Sequence, residues 1–252
     1  MTDSLLIPII MTIVGAATPI LLAALGELVV EKSGVLNMGL EGMMLIGAVT
    51  GFAVTATTGY APLGVVAAMI AAAASAGLFG FLTLTLTANQ VATGLALTIF
   101  GIGLSALAGE NYVGQTVDVF GSVFPAALSE HPVLRVIFGY SPLVYVSLLL
   151  VAAVSWFVRK TRGGLILRAV GESDLSAHSI GYSVIGVRYM AVLFGGAMAG
   201  IAGCFYSLVL TPMWAEQLTA GRGWIALALV VFAGWRPMRL LLGAYLFGAV
   251  MT

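Results

Sequence analysis

Leu143-Val-Tyr-Val-Ser-Leu-Leu-Leu-Val-Ala-Ala-Val-Ser-Trp-Phe-Val-Arg-Lys-Thr-Arg162 holds no charge until residue 159 and then places three cations in four positions. A second apolar stretch, Val192–Leu210, follows. Between the two lie Arg159, Lys160, Arg162, Arg168 and Arg188, five of the ten Lys and Arg in a chain that is 61% hydrophobic. Cations that border membrane spans collect on the cytoplasmic side. Residues 159–188 therefore read as a cytosolic loop of a polytopic membrane protein. The loop carries Gly171-Glu-Ser-Asp-Leu-Ser-Ala-His-Ser-Ile-Gly181, a helix-like piece bounded by glycines. A structured cytosolic loop of this kind is expected to contact another protein.

Composition agrees. Charged residues make up 8% of the chain, against about 25% in soluble domains, and the mean hydropathy is +1.11. Apolar runs recur at about the 20 residues needed to cross a hydrocarbon core. The formal net charge is zero, which removes the electrostatic case for nucleic acid. One cysteine, Cys204, excludes an internal disulfide. The first 25 residues carry Asp3 and neither Lys nor Arg, so they read as a retained helix and not a signal peptide.

The expected fold is all-α: a polytopic transmembrane helical bundle of about eight spans, near 5–25, 42–58, 63–86, 91–108, 142–158, 190–210, 223–235 and 239–252. Spans must be helical because backbone groups in lipid have to be satisfied within the segment. With 159–188 inside, 109–141 (Glu110, Asp118, Glu130, Arg135) and 211–222 (Glu216, Arg222) fall outside, and Arg236 and Arg239 inside. Seven of the ten cations are then internal. Trp214, Trp224 and Trp235 flank spans, as an interfacial belt would. Gly47/Gly51 and Gly196/Gly200 have small-xxx-small spacing, which suits close helix contact.

Glu27-Leu-Val-Val-Glu-Lys-Ser-Gly-Val-Leu-Asn-Met-Gly-Leu-Glu-Gly42 is too polar for an ordinary span and too apolar for an ordinary loop. It reads as one broken or re-entrant helix near the N-terminus, tolerated where it packs in protein or lines a water-filled path. A re-entrant segment puts the N-terminus inside; a cytosolic loop puts it outside. Asn37 and Glu41 are candidate pathway residues, because polar and ionisable groups at membrane depth are functional by default. Glu41 could equally cap a helix beginning at Gly42. Asn89, Gln90 and Thr93 could bond a polar solute or simply open a helix. Gly26-Glu-Leu-Val-Val-Glu-Lys-Ser33 imitates a phosphate loop, but Glu31 stands where the second glycine is needed.

Three blocks in order resemble the ABC-importer permeases of the branched-chain amino acid/ribose superfamily, and among them the permeases of nucleoside and simple-sugar uptake systems. The blocks are Glu27–Gly42 with Met43-Met-Leu-Ile-Gly47, then Asn89-Gln-Val-Ala-Thr-Gly-Leu-Ala-Leu97, then Gly164–Ser173 with Ala177, Gly181, Val187–Met190 and Gly195–Gly203. The resemblance implies a single transmembrane permease domain over 1–252, of a family that usually continues for another helix or two. It implies a bacterial inner (plasma) membrane location, no cofactor, and a nucleoside or simple sugar as solute. The implied partners are an ABC ATPase subunit, a second permease subunit, identical or homologous, an extracytoplasmic substrate-binding protein and membrane lipid. Gly171, Glu172, Ser173, Asp174, Ala177 and Gly181 would form the ATPase coupling site, with Glu172 and Asp174 at a helix start and Ser173 capping it. The Gly/Ala faces would pack against the second permease subunit.

The alternative function is a stand-alone secondary transporter. The spans after residue 60 contain no acidic residue, which argues against proton coupling. An intramembrane enzyme would need paired carboxylates, a histidine dyad or a nucleophile–base pair, and none is legible. His131 and His178 are too far apart in sequence to suggest a metal site.

Overall fold

The computed structural model of the chain describes residues 3–118, 120–125, 129 and 134–252. Glu130 and His131 of the expected external loop lie outside the described residues. Among the described residues the α-helices of six residues or more are α1 (Asp3–Lys32), α2 (Leu40–Thr58), α3 (Ala61–Gly80), α4 (Gln90–Gly109), α5 (Pro142–Lys160), α6 (Arg162–Glu172), α7 (Asp174–Ser179), α8 (Val184–Phe205), α9 (Arg222–Phe232) and α10 (Pro237–Val250). π-helical turns, Phe81–Thr85 and Tyr206–Leu210, extend α3 and α8. Two isolated bridges, Val113 with Trp214 and Thr116 with Met213, are the β pairings among the described residues.

Among the described residues six helical runs are long and apolar enough to cross a membrane: Leu6–Lys32, Leu40–Thr58, Ala61–Thr85, Gln90–Tyr112, Pro142–Lys160 and Val184–Leu210. The other two expected spans are short. α9 has 11 residues and α10 has 14; at 1.5 Å per residue these reach about 16 and 21 Å, less than the roughly 30 Å core. The first span runs to Lys32, past the expected boundary at residue 25, because its two acids face protein. Glu27 is fully buried, and a carboxyl oxygen of Glu31 accepts from the Trp235 indole N–H.

α8 is the centre of the bundle and packs on α1, α2 and α3. The helices meet backbone to backbone. A Cβ added at Gly47 would lie 2.5 Å from Gly200 Cα, and one at Gly203 only 1.8 Å from the Met44 carbonyl oxygen. One at Gly196 would lie 2.4 Å from Ala76 Cβ. These small-residue stripes are therefore consumed inside the chain, and the expectation that they face a second subunit is corrected. Trp214 is corrected too. It is 1% exposed and packs on Gly109, so it is a core residue and not part of an interfacial belt.

One end of the bundle collects the basic residues. Arg188 Nε donates to Ser33 O at 3.1 Å, and the Thr85 and Tyr189 hydroxyls are 2.6 Å apart. Lys32 neighbours Arg168, Glu172 and Arg236. The α1–α2 connection thus lies at the same end as residues 161–183, and the N-terminus of α1 lies at the other. There, Arg135 Nε sits 3.2 Å from Met11 Sδ, and Phe52 meets Tyr112 edge-on at 6.1 Å between ring centroids.

Candidate functional site

The chain from Ser33 to Gly39 leaves helix at the basic end of the bundle, with Gly34 and Leu36 exposed and Ser33, Val35, Asn37 and Gly39 buried. Gly34 turns with φ +82°, where an L side chain is disfavoured. Several polar groups of the break are then held by side chains from elsewhere in the bundle. Glu27 Oε1 accepts from Asn37 N at 3.1 Å. Gln90 Oε1 accepts from Leu36 N at 2.9 Å. Thr98 Oγ1 donates to Met38 O at 3.1 Å. Asn37 is fully buried; its Oδ1 accepts from Gly39 N at 3.1 Å and its Nδ2 lies 3.4 Å from Met43 Sδ. Asn37 organises the start of α2. Asn89 is the N-cap of α4, its Oδ1 accepting from Ala92 N at 3.0 Å. Thr93 is half-buried on the next turn.

Glu41 does something sequence reasoning did not anticipate. It is 5% exposed. Oε1 accepts from the Thr219 hydroxyl and from Gly221 N at 2.8 Å, and Oε2 accepts from Gly223 N at 2.6 Å. These donors open α9, whose own N-cap residue Gly221 offers no side chain. A helix leaves its first N–H groups without partners, and its positive end favours an acid. Glu41 therefore caps a helix about 180 residues away in sequence, not the one beginning at its own position.

The depth of that cap is fixed by α4. A Cβ at Gly42 would lie 2.6 Å from Leu97 O, near the middle of α4. Residues 213–214 lie near the far end of α4, since Trp214 packs on Gly109. The segment 215–221 therefore descends into the bundle, and α9 is a half-helix that starts at mid-depth. The expectation that 211–222 forms an outer loop is corrected, and Arg222 with it: Arg222 sits 5.0 Å from the centroid of the buried Tyr206 ring. Gln217 and Ala220 hold φ of +53° and +47°, uncommon for residues with a Cβ. Half-helices whose N-termini point into a membrane protein are a recurring way to build a solute or ion site.

At the basic end, the expected coupling piece is two helices and not one. Glu172 is the last residue of α6, so it does not sit at a helix start. Ser173 breaks the chain and caps α7, its Oγ accepting from Ser176 N at 3.3 Å. Asp174 pairs with Arg188 at 3.7 Å. Ala177 is buried, and Gly181 turns with φ +89°. Gly171 is a point of close approach, where an added Cβ would lie 2.1 Å from Lys32 O. Most of these residues build the corner. The apolar side chains it presents outward are Leu175, 82% exposed, and Ile180, 68% exposed. An exposed apolar residue in a polar loop was the available signal for both.

The model of a family described as branched-chain amino acid transport system / permease component matches residues 9–252. The chain is 45% identical to the putative glucose ABC transporter permease protein TsgC13 of Haloferax volcanii, over 93% of this chain and 73% of that one. It is 34% identical to the guanosine ABC transporter permease protein NupQ of Bacillus subtilis, over 92% of this chain and 77% of the relative. It is 29% identical to the nucleoside ABC transporter permease protein NupC of Lactococcus lactis, over 92% and 77%. No solved structure matches.

Proposed function

The chain belongs to the branched-chain amino acid transport system / permease component family and is a multi-pass membrane permease of the ABC class, and from that premise we propose that it imports a nucleoside or a simple sugar. Family membership decides against a stand-alone secondary transporter. The solute class rests on the relatives named for glucose, guanosine and nucleosides. One glucose-named and two nucleoside-type relatives at comparable coverage leave both solutes open to one test. Uptake of labelled guanosine and glucose by cells carrying the chain with its ATPase and binding protein separates them.

In this reading the basic end is cytosolic and α6–α7 is the coupling corner. The partners are an ABC ATPase subunit, an extracytoplasmic binding protein and a second permease subunit. The eight membrane segments of the sequence pattern are the six long helices with α9 and α10, of which α9 enters from mid-depth. The supporting observation is the placement of Leu175 and Ile180, two exposed apolar side chains on a corner where Ala177 is buried and Asp174 pairs with Arg188. Burying a Leu or Ile side chain against a partner is worth about 1.5–3 kcal/mol each.

Two results are expected. Leu175→Glu with Ile180→Glu should weaken association with the ATPase subunit by about thirtyfold or more, on the order of 2 kcal/mol, while membrane insertion stays normal. Retention of the ATPase on the double variant at wild-type yield would count against this corner as the docking site. For sidedness, a cysteine at Ser173 should react with an impermeant maleimide only from the cytosol, and a cysteine at Ser122 only from outside. The reverse pattern would invert the topology.

A further inference from the structure

An apolar cleft of about 680 Å³ opens on the side of the bundle at its basic end, between α5, α6 and α8. Val29, Leu150, Trp156, Phe157, Met190 and Phe194 are among its walls, and no charged side chain lines it. It is not closed over. Trp156 is 64% exposed and Met190 70%. Wetting such walls would cost free energy roughly in proportion to their apolar area, so the cleft is suited to an apolar occupant.

The rim says what kind of molecule. On α5, Ala153, Trp156 and Phe157 follow one another at helical spacing on the cleft face. Lys160 is three residues beyond Phe157 and four beyond Trp156, so it continues the same stripe at the mouth. Arg162 precedes Gly163, a wall residue, and Arg159 completes the group. All three cations are exposed. No Asp or Glu occurs between Glu130 and Glu172, and the one ion pair among the described residues is Arg188 with Asp174. An apolar slot with an uncompensated cationic mouth complements a molecule with an apolar tail and an anionic head. Trp156 sits at that junction, where amphipathic rings settle between acyl chains and headgroups.

We infer that the α5–α6–α8 cleft is a binding site for an anionic phospholipid of the leaflet at the basic end, with one acyl chain between Trp156 and Met190 and its phosphate at Arg159, Lys160 and Arg162. Each Lys or Arg near an anionic leaflet raises partition by about fivefold. Three together are enough to select an anionic headgroup over a zwitterionic one with the same chains.

The test uses the full chain reconstituted in phosphatidylcholine vesicles that contain an equal fraction of brominated phosphatidylglycerol or brominated phosphatidylcholine. Bromine quenches tryptophan fluorescence at contact. The wild type should be quenched more by the brominated phosphatidylglycerol. That excess should vanish in Trp156→Phe, which removes the reporter, and in Arg159→Gln/Lys160→Gln/Arg162→Gln, which removes the selectivity. Equal quenching of the wild type by both lipids would overturn the inference, whether the cleft then holds any lipid or another helix. A second variant guards against misfolding of the triple substitution. Ala153→Phe fills the cleft and leaves the cations in place. Native mass spectrometry of the extracted protein should show phosphatidylglycerol retained by the wild type and lost from Ala153→Phe. Undiminished retention by Ala153→Phe would show that the cleft is not the seat.

Discussion

Glu41→Ala should melt well below the wild type in detergent and lose most of its uptake. The substitution leaves the Thr219 hydroxyl and the N–H groups of Gly221 and Gly223 without their acceptor. Each buried donor so orphaned costs about 1–3 kcal/mol. The segment it holds is already unfavourable, because Ala220 keeps a positive φ, worth about 1–3 kcal/mol of strain. Loss of Glu41 therefore removes both the cap of α9 and the restraint on its approach. Glu41→Gln separates shape from chemistry. It keeps the volume but turns one acceptor into a donor that must face a donor, so it should lie between alanine and wild type. A Glu41 that only touched solute would change uptake without changing the melting temperature. Wild-type melting of Glu41→Ala would therefore refute the capping role.

The second large effect is expected where α2 crosses α8. Gly203→Ala would put a methyl carbon 1.8 Å from the Met44 carbonyl oxygen, and Gly47→Ala would put one 2.5 Å from Gly200 Cα. Both contacts are with backbone, which cannot rotate away. Forcing atoms into a packed interior costs about 1–3 kcal/mol and sometimes more; contacts this short with a neighbouring helix belong at the top of that range or beyond. Both variants should be recovered in low yield and aggregate on extraction. Gly103→Ala is the control. A Cβ there meets nothing within 4 Å, and the gain in helix propensity is about 1 kcal/mol. If Gly203→Ala behaves like Gly103→Ala on size exclusion, the crossing described here is wrong.

The sequence makes the long spans legible because a membrane helix needs only apolar length, and Pro142–Lys160 and Val184–Leu210 announce it. It also marks the break after α1, since Gly34, Asn37 and Gly39 interrupt an otherwise apolar run. Three things were hidden, each for a physical reason. Glu27 and Glu31 look like the end of a span because a charge is read as solvated, whereas both turn into protein toward Asn37 and Trp235. Residues 215–221 look like an exposed loop because a segment that re-enters the bundle has the same glycines and polar groups as one that stays out. The acceptor for its donors is Glu41, whose partnership depends on tertiary packing and leaves no local pattern. The 171–181 corner is marked in the sequence by its neighbouring cations and its glycines, but the residues it exposes, Leu175 and Ile180, were passed over in favour of those that hold it together.

The backbone crossings also have a genetic meaning. Any single-base change in the first two positions of a glycine codon adds a side chain or a stop. Gly42, Gly47, Gly203 and Gly223 each face backbone atoms closer than 3 Å to an added Cβ, so nearly every missense allele at those codons should be null. Cells selected for resistance to a toxic analogue of the solute would then carry lesions in the scaffold at least as often as in the path. An allele map drawn from such a selection would outline the helix crossings and not the binding site.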